Sequence, residues 1–449
     1  GRCGKCMVNV NGEGNVLSCS YYPEKDIEVI LPGKYVANIL VSQTEFLEDF
    51  PFRKPAFLHS AKPFGVAVDI GTTTVVLYFV NLLTGSIEKI SSFLNPQSVN
   101  GADVISRITY CQEHVNGLRK LQSIILNAIN NELDDFSAKK GTGAGNIEKV
   151  IIAGNTTMLH LLLGVDPVPI ALAPFRPKFT GKQIVKGSSS GLHINPDAEM
   201  ITLPCISAYV GADIVAGLAV IKPLYSNYLF LDIGTNGEMA LVRGDRIFTC
   251  STAAGPAFEG ANISCGMAAV NGAISYFSGP ADYKVIGNSR PSGVCGSGII
   301  DIVAFMLKNG MVDETGLLKE KLIIGSDERL QVTQQDIREI QLAKSAIYSG
   351  IKILLKYADL TFSDVDALFL AGGFGNYINI DSGIEIGLLP DEMRGKIFPV
   401  GNSAGIGALQ FLKSDEFEEN TDSVLKRSQY IELSDIEEFT PEFALNMNF

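Results

Sequence analysis

Phe64-Gly-Val-Ala-Val-Asp-Ile-Gly-Thr-Thr-Thr-Val-Val-Leu-Tyr-Phe-Val80 reads as an apolar strand, the tetrapeptide Asp-Ile-Gly-Thr, and a second apolar strand. Tyr228-Leu-Phe-Leu-Asp-Ile-Gly-Thr-Asn-Gly-Glu-Met-Ala-Leu-Val242 repeats the pattern. Each stretch predicts a β-hairpin whose turn is made of Gly and small hydroxyl residues. The copies lie about 160 residues apart, too far for a solenoid repeat. That spacing fits two related half-domains facing each other across a cleft.

Such a turn suits a polyphosphate. Gly71 and Gly234 let the backbone approach closely, and the N–H groups that follow can donate to phosphate oxygens. Thr72, Thr73, Thr74 and Thr235 add hydroxyl donors, and Asn236 and Gly237 complete the second turn. Asp69 and Asp232 end their strands there. A carboxylate in that place can hold a hydrated Mg²⁺ or orient an attacking water, since Mg²⁺ prefers oxygen ligands and keeps waters. Either copy alone also suits an ordinary tight hairpin. A third motif, Ala367-Leu-Phe-Leu-Ala-Gly-Gly-Phe-Gly375, runs a buried strand into Gly372, Gly373, Phe374 and Gly375. Such a turn lets backbone lie flat against an adenine and ribose. A lone GGxG serves a plain strand-to-helix turn equally.

Other segments keep two readings. In Ala153-Gly-Asn-Thr-Thr-Met158, Asn155 or Thr156 either caps a helix or reaches a γ-phosphate or the attacking water. In Ala254-Gly-Pro-Ala-Phe-Glu-Gly260, Glu259 is either a surface-loop carboxylate or a group that reaches the nucleotide or the waters of Mg²⁺. Gly293-Val-Cys-Gly-Ser-Gly298 either cradles a phosphate or enters a helix. His59, His114, His160 and His193 have no metal-ligand spacing, and His160 reads as a packed core residue.

The chain has 449 residues, 46% of them hydrophobic and 19% charged, which argues for a folded globular protein. A formal net charge of −13 argues against a nucleic-acid partner, which needs clustered Lys and Arg. No run of about 18 uncharged apolar residues predicts a membrane span. No secretory signal is visible, so a cytoplasmic location is expected. Residue 1 is Gly, which suggests a fragment or a processed chain. After Lys413 the chain turns acidic, and this stretch reads as a solvated surface segment.

Of eight cysteines, Cys111, Cys205, Cys250, Cys265 and Cys295 are scattered through apolar or Gly-rich segments and read as small buried hydrophobes. Cys3, Cys6 and Cys19 crowd the start and point to metal in a reducing compartment. Gly1-Arg-Cys-Gly-Lys-Cys6 followed by Cys19 resembles the later ligands of a plant-type [2Fe–2S] ferredoxin. The first ligand of that pattern would precede Gly1. A zinc site is the alternative.

The two hairpins and the third motif resemble the phosphate-1, phosphate-2 and adenosine motifs of the ATPase superfamily containing acetate and sugar kinases, Hsp70 and actin. The helices that cross between lobes there also have look-alikes. These are Ala208-Tyr-Val-Gly-Ala-Asp-Ile-Val-Ala-Gly-Leu218 and Gly401-Asn-Ser-Ala-Gly-Ile-Gly-Ala-Leu409. Joined to a ferredoxin-like start, the whole chain resembles the reductive activators of corrinoid proteins, iron–sulfur ATPases of anaerobic one-carbon metabolism. Asn95-Pro-Gln and Gly101-Ala-Asp-Val-Ile-Ser-Arg107 add to that likeness.

The resemblance implies an α/β, two-lobed actin/Hsp70-like ATPase fold with duplicated RNase H-like half-domains, preceded by a partial β-grasp ferredoxin-like segment. Residues 1–35 would be the end of the [2Fe–2S] domain and 36–62 a linker. Lobe I would be 63–207 plus 401–449, and lobe II 208–400. ATP phosphates would lie on Gly71 to Thr74 and Gly234 to Gly237. The adenine would lie by Gly372, Gly373, Phe374 and Gly375. Asp69 and Asp232 would hold Mg²⁺ and the water, with Asn155 and Glu259 also catalytic.

The implied reaction is a repair. Corrinoid methyl carriers work as Co(I) and occasionally oxidise to Co(II). The activator passes one electron to Co(II), driven by ATP. A plant-type cluster sits near about −400 mV. The Co(II)/Co(I) couple is expected lower, and each ~59 mV costs about tenfold for one electron. The implied partners are a corrinoid protein (a methyl carrier or methyltransferase) and an external electron donor. A homodimer is compatible with this. Rival readings are an activator of 2-hydroxyacyl-CoA dehydratase type, a small-molecule kinase, and a nucleotide-gated binder of the corrinoid protein.

Overall fold

The computed structural model describes residues 7–10, 14–17, 21–22, 29–30, 44–324, 330–375 and 377–449. Near the start, Met7–Val10 pairs antiparallel with Gly14–Leu17 and with Val29–Ile30. Cys3, Cys6 and Cys19 lie outside the described residues, as does the side chain of Phe374.

Lobe I is built on a six-stranded sheet. Its strands are β1 (Phe64–Ile70), β2 (Thr74–Asn81), β3 (Ile87–Leu94), β4 (Ile147–Gly154), β5 (Gln183–Lys186) and β6 (Glu199–Thr202). Their spatial order is β3-β2-β1-β4-β6-β5. β1, β2 and β3 form an antiparallel meander, and β4 pairs parallel to β1. The longer helices of this lobe are α1 (Val104–Glu113), α2 (Gly117–Lys139) and α3 (Thr156–Leu163). In α2 the residues Leu121, Ile125, Ile129, Leu133 and Phe136 recur at helical spacing and are all buried. Phe136 stacks on Phe79 at 4.3 Å and meets Phe64 edge-on at 5.0 Å. That fixes α2 against the sheet.

Lobe II repeats the plan. Helix α4 (Ala212–Ala219), buried in the core that includes the lobe I strands, leads across to β7 (Asn227–Ile233), β8 (Gly237–Arg243) and β9 (Arg246–Thr252) of lobe II. Helices α5 (Gly296–Lys308) and α6 (Gln334–Tyr357) come next. Strands β10 (Ala367–Ala371) and β11 (Ile397–Gly401) then precede helices α7 (Ser403–Lys413) and α8 (Glu416–Arg427). The strand order β9-β8-β7-β10-β11 matches the order β3-β2-β1-β4-β6 of lobe I, so each lobe is one copy of the same half-domain.

Strand alternation divides the interior into two layers. Tyr228, Phe230, Ala367 and Phe369 face the layer shared with lobe I. Leu229, Leu231, Leu368 and Leu370 face the core of lobe II. Helices α4 and α7 pack on each other, and α7 packs on β1 and β4. Small residues make this possible. A Cβ on Gly407 would meet the backbone of Ala216, and one on Gly217 would meet the ring of Phe230.

Residues 401–449 do not all go with lobe I. The strand β12 (Ser428–Tyr430) pairs parallel to β9, and Ile431 and Leu433 are buried in the lobe II core. The open edge of β9 accepts it, which an apolar sheet edge favours. The acidic stretch also differs from a merely solvated segment. It forms the amphipathic helix α8, with Phe417, Thr421 and Val424 buried and with Glu416 and Glu418 paired to Arg53 and Lys182. No helix among the described residues is long and apolar enough to cross a membrane.

Gly407→Ala is expected to lower stability by about 1–3 kcal/mol, the usual cost of overpacking a tight contact. Gly181→Ala, where a Cβ would meet open space, should stay within about 0.5 kcal/mol of the parent. Urea unfolding of the two variants measures the difference.

Candidate functional site

Parallel pairing brings the motifs to one end of each sheet. β1 against β4 sets Asp69 beside Ala153 and Ile70 beside Gly154. β7 against β10 sets Asp232 beside Ala371. The carboxyl ends of parallel strands are where open α/β sheets bind ligands. Asn155 caps α3 by accepting from the Met158 N–H at 3.0 Å, and its Nδ2 donates to Thr72 Oγ1 at 3.0 Å. It therefore serves the helix and touches the hairpin at once.

The first turn is held from behind. Asn95 Nδ2 donates to the Gly71 carbonyl at 2.9 Å, and Arg107 Nη2 donates to the Thr72 carbonyl at 2.6 Å. The Asn95 N–H donates to the Thr73 carbonyl at 2.8 Å, and the Gly71 N–H to the Thr74 carbonyl at 3.0 Å. With those carbonyls taken, the N–H groups of Thr72 and Thr73 have no acceptor among the described residues. Gly71 is required here, because a Cβ would stand 2.7 Å from the Thr74 carbonyl oxygen. The second turn closes by a bond from the Gly234 N–H to the Asn236 carbonyl at 2.9 Å. Gly237 begins β8 behind it, with its carbonyl accepting from Thr252 Oγ1 at 3.2 Å. Free N–H groups in such turns make an anion-binding concavity.

Glu259 ends a short helical turn, Pro256–Glu259, and joins the two hairpins. Its Oε2 accepts from Thr73 Oγ1 and from Thr235 Oγ1, each at 2.9 Å. One carboxylate oxygen thus ties lobe I to lobe II.

Below these turns lies a group of carboxylates, of which Glu238 is buried and Asp69, Asp213 and Asp232 are half-buried. Burial, with the charge of Asp213, pushes Asp69 up to about 7, against a hydrogen bond from Asn402. Burial and the charges of Asp213, Asp69 and Glu259 push Asp232 up to about 8. Asp213, in the first turn of α4, is raised to about 6 by burial, and the N–H of Ile214 restrains it. Glu238 is raised well above the ordinary carboxylate range by burial and by Asp213 and Asp232. Arg107 is wholly buried, and burial lowers its guanidinium to about 10 while Glu259 and Asp103 support the charge.

Among the described residues no three acidic, His or Cys side chains converge tightly enough to cage a metal ion. Mg²⁺ takes one or two carboxylates, keeps waters and completes its shell with phosphate oxygens. Gly372 adopts φ +82°, and a Cβ there would collide with Asp232. The third motif therefore passes directly beside that carboxylate. A Cβ on Gly373 would meet open space, whereas Gly375 turns back onto Leu370.

Asp213 and Glu238 are site residues that the motifs alone do not single out. Glu238 stands opposite Asp232, where the first hairpin has Val76 opposite Asp69, and that break in the repeat is its signal. Arg107, Asn95 and Asn402 lie inside recognised motifs, but their bonds depend on the fold. Gly293 to Gly298 enters α5, with Ser297 bonded to the Ser275 carbonyl at 2.8 Å. His160 is buried and stacks on Phe179 at 4.1 Å. Cys205, Cys250, Cys265 and Cys295 are buried free thiols, and Cys111 is half-buried.

A family model for the C-terminal domain of RACo, the ASKHA domain, matches residues 226–449. A model for the RACo middle region matches residues 64–223. The corrinoid activation enzyme RamQ of Eubacterium limosum is 33% identical over 450 residues, covering 93% of this chain and 75% of that one. A Co(II) methylated amine-specific corrinoid protein reductase of Methanosarcina barkeri is 26% identical over 381 residues, covering 76% of this chain and 68% of that one. A solved reductive activator for corrinoid, iron–sulfur protein matches with TM-score 0.78 and 29% identity, covering 100% of this chain and 92% of that one.

The raised carboxylates set a pH dependence. A carboxylate whose folded pKa is raised costs stability above its unfolded pKa, because the folded state resists ionisation. Metal-free protein should therefore lose stability between about pH 4 and pH 8, the window set by Asp213, Asp69 and Asp232. Asp213→Asn should stabilise the protein at pH 8 by about 1–3 kcal/mol, given about 1.4 kcal/mol per pKa unit. At pH 5 the gain should shrink. Urea unfolding in chelator at both pH values reads this, and equal gains would show that ionisation does not strain the cluster.

Proposed function

The chain belongs to the RACo family of reductive activators of corrinoid proteins, and from that premise we propose that it returns a partner corrinoid protein from Co(II) to Co(I) in a step driven by ATP. The observation that carries the reading is the meeting of two Asp-Ile-Gly-Thr hairpins over half-buried carboxylates, with Glu259 between them.

ATP with Mg²⁺ would supply the driving free energy. Its phosphates fit the unpaired N–H groups of Thr72 and Thr73 and the hydroxyls of Thr72, Thr73 and Thr235, which in this structure meet Asn155 and Glu259. Its base would lie by Gly372 and Gly373, where a Cβ on Gly373 meets open space. Asp69 and Asp232 are the carboxylates for Mg²⁺ and its waters. Asp232, raised to about 8 in the metal-free protein, would be held ionised by a bound cation and so be able to accept a proton from the attacking water. Asn155 reaches the tip of the first turn, where it can orient a terminal phosphate or a water. Arg107 holds the Thr72 carbonyl away from the phosphates and adds a positive charge behind the turn. Glu259 exchanges its hydroxyl partners for the nucleotide or the waters of Mg²⁺. This reading takes its electron from an iron–sulfur cluster held with the help of Cys3, Cys6 and Cys19, and that part rests on the sequence alone.

The test mixes the chain, with its cluster ligand set complete, anaerobically with a Co(II) corrinoid protein, a reductant and Mg-ATP. Formation of Co(I) that requires ATP is the expected result. ATP hydrolysis without Co(I) would point to a different acceptor. Asp232→Asn should slow ATP hydrolysis by about 10²–10⁴-fold, the usual weight of a general base, and abolish Co(I) formation. Capture of the corrinoid protein by the variant should persist. If wild type captures it but never reduces it, the chain is a nucleotide-gated binder.

A further inference from the structure

The stretch read as a linker is fastened to both lobes where it is described. Phe46 is buried, with its ring 4.6 Å from Phe398 on β11 and 5.5 Å from Phe369 on β10. Both of those strands belong to lobe II. Leu47 bridges Ile221, the Glu48 N–H donates to the Val220 carbonyl at 2.8 Å, and the Lys222 N–H donates to the Phe46 carbonyl at 2.9 Å. Residues 220–222 are the crossover from α4 to β7, where the chain passes from one lobe to the other.

The next residues grip the second crossing helix. Asp49 accepts from Gln410 at 3.0 Å and from Lys413 at 3.1 Å, and Phe50 meets Phe417 edge-on at 5.3 Å. Farther along, the N–H groups of His59 and Ser60 donate to Glu148, beside the start of β4 in lobe I, at 2.9 and 2.6 Å. One segment therefore touches lobe II at Phe46, the hinge at 47–50, and lobe I at 59–60.

Cleft closure is a rotation of one lobe against the other about such crossing segments. It must move the Phe46 socket relative to the Glu148 anchor. We propose that residues 44–62 are a strap through which the nucleotide state of the ATPase sets the position of the N-terminal segment. This deepens the function proposed above and rests on it. Phe46 and Phe50 are its positioning residues, since they pack on Phe369, Phe398 and Phe417, away from the hairpin turns. A connector without these anchors would leave the N-terminal segment indifferent to the cleft. By linkage, whatever holds the strap must also bias the cleft.

The test uses full-length Phe46→Ala and Phe50→Ala proteins. ATP hydrolysis should stay within about twofold of wild type, while Co(I) formed per ATP falls at least about fivefold, the lower end of coupling between linked sites. A second readout is hydrogen exchange at the amides of Glu48 and Lys222, with and without a non-hydrolysable ATP analogue. In wild type these amides should change protection on nucleotide binding, and in Phe46→Ala the change should vanish. An unchanged Co(I)-to-ATP ratio in both variants would overturn the strap, and so would wild-type amides indifferent to nucleotide. If wild type makes no Co(I), the functional reading fails, while the exchange measurement still decides the strap. Should Phe46→Ala not fold, Phe50→Ala and the wild-type exchange data carry the test.

Discussion

Repulsion among crowded, poorly solvated carboxylates sets the terms for the rest of the cleft. Asp213 acts on Asp69, Asp232 and Glu238, and Asp69 acts in turn on Asp232. In a low-dielectric interior each added charge raises the cost of the next. The fold answers with neutral donors placed at helix starts and turns. Asn402, at the start of α7, bonds Asp69, Asn236 bonds Glu238, and the N–H of Ile214 bonds Asp213 at 2.9 Å. These donors soften the repulsion without cancelling it. A bound divalent cation would relieve it directly, so the ligand would stabilise the fold as it binds.

The same helices that deliver those donors join the lobes. Both α4 and α7 begin in the cleft, with Asp213 in the first turn of one and Asn402 capping the other, and both end near the strap. Their close approach at Gly407 and Gly217 leaves little slack between the ends. A tightly packed pair of helices therefore joins the carboxylates to the crossover at 220–222. Packed interiors transmit displacements because they have few voids in which to absorb them.

The sequence carried the fold in its hairpins because strand, Asp-Ile-Gly-Thr and strand are local features, and their repetition is visible without coordinates. The site was legible only where chemistry and local pattern coincide. Asp213 is an acid in a helix first turn, a place where the helix dipole welcomes one for ordinary reasons. Arg107 looks like a surface residue of a mixed helix until its carbonyl partners at Gly101 and Thr72 are known. The strap reads as a connector because Pro51, Pro55 and Pro63 interrupt it. Its anchors at 220–222, 369 and 410–417 are distant in sequence and leave no local trace. The split of residues 401–449 has the same origin, since a three-residue strand at 428–430 takes its meaning from the open edge of β9.

The two hairpins are held unequally, and this bears on which part of the cleft can respond. The first turn is fastened from behind by Asn95 and Arg107, whose bonds run to backbone carbonyls that an entering anion does not need. Glu259 instead occupies hydroxyl donors on the cleft side, one from each lobe. A hydrogen bond to a charged group contributes about 1.5–3 kcal/mol. An entering phosphate would compete for the same two hydroxyls and find N–H groups beside them that Glu259 does not use. The carboxylate therefore keeps the lobes together through bonds that an anion can replace, while the scaffold behind the first turn stays as it is. A rigid back and an exchangeable front let one cleft be preorganised for phosphate and still change its interlobe contacts when phosphate arrives.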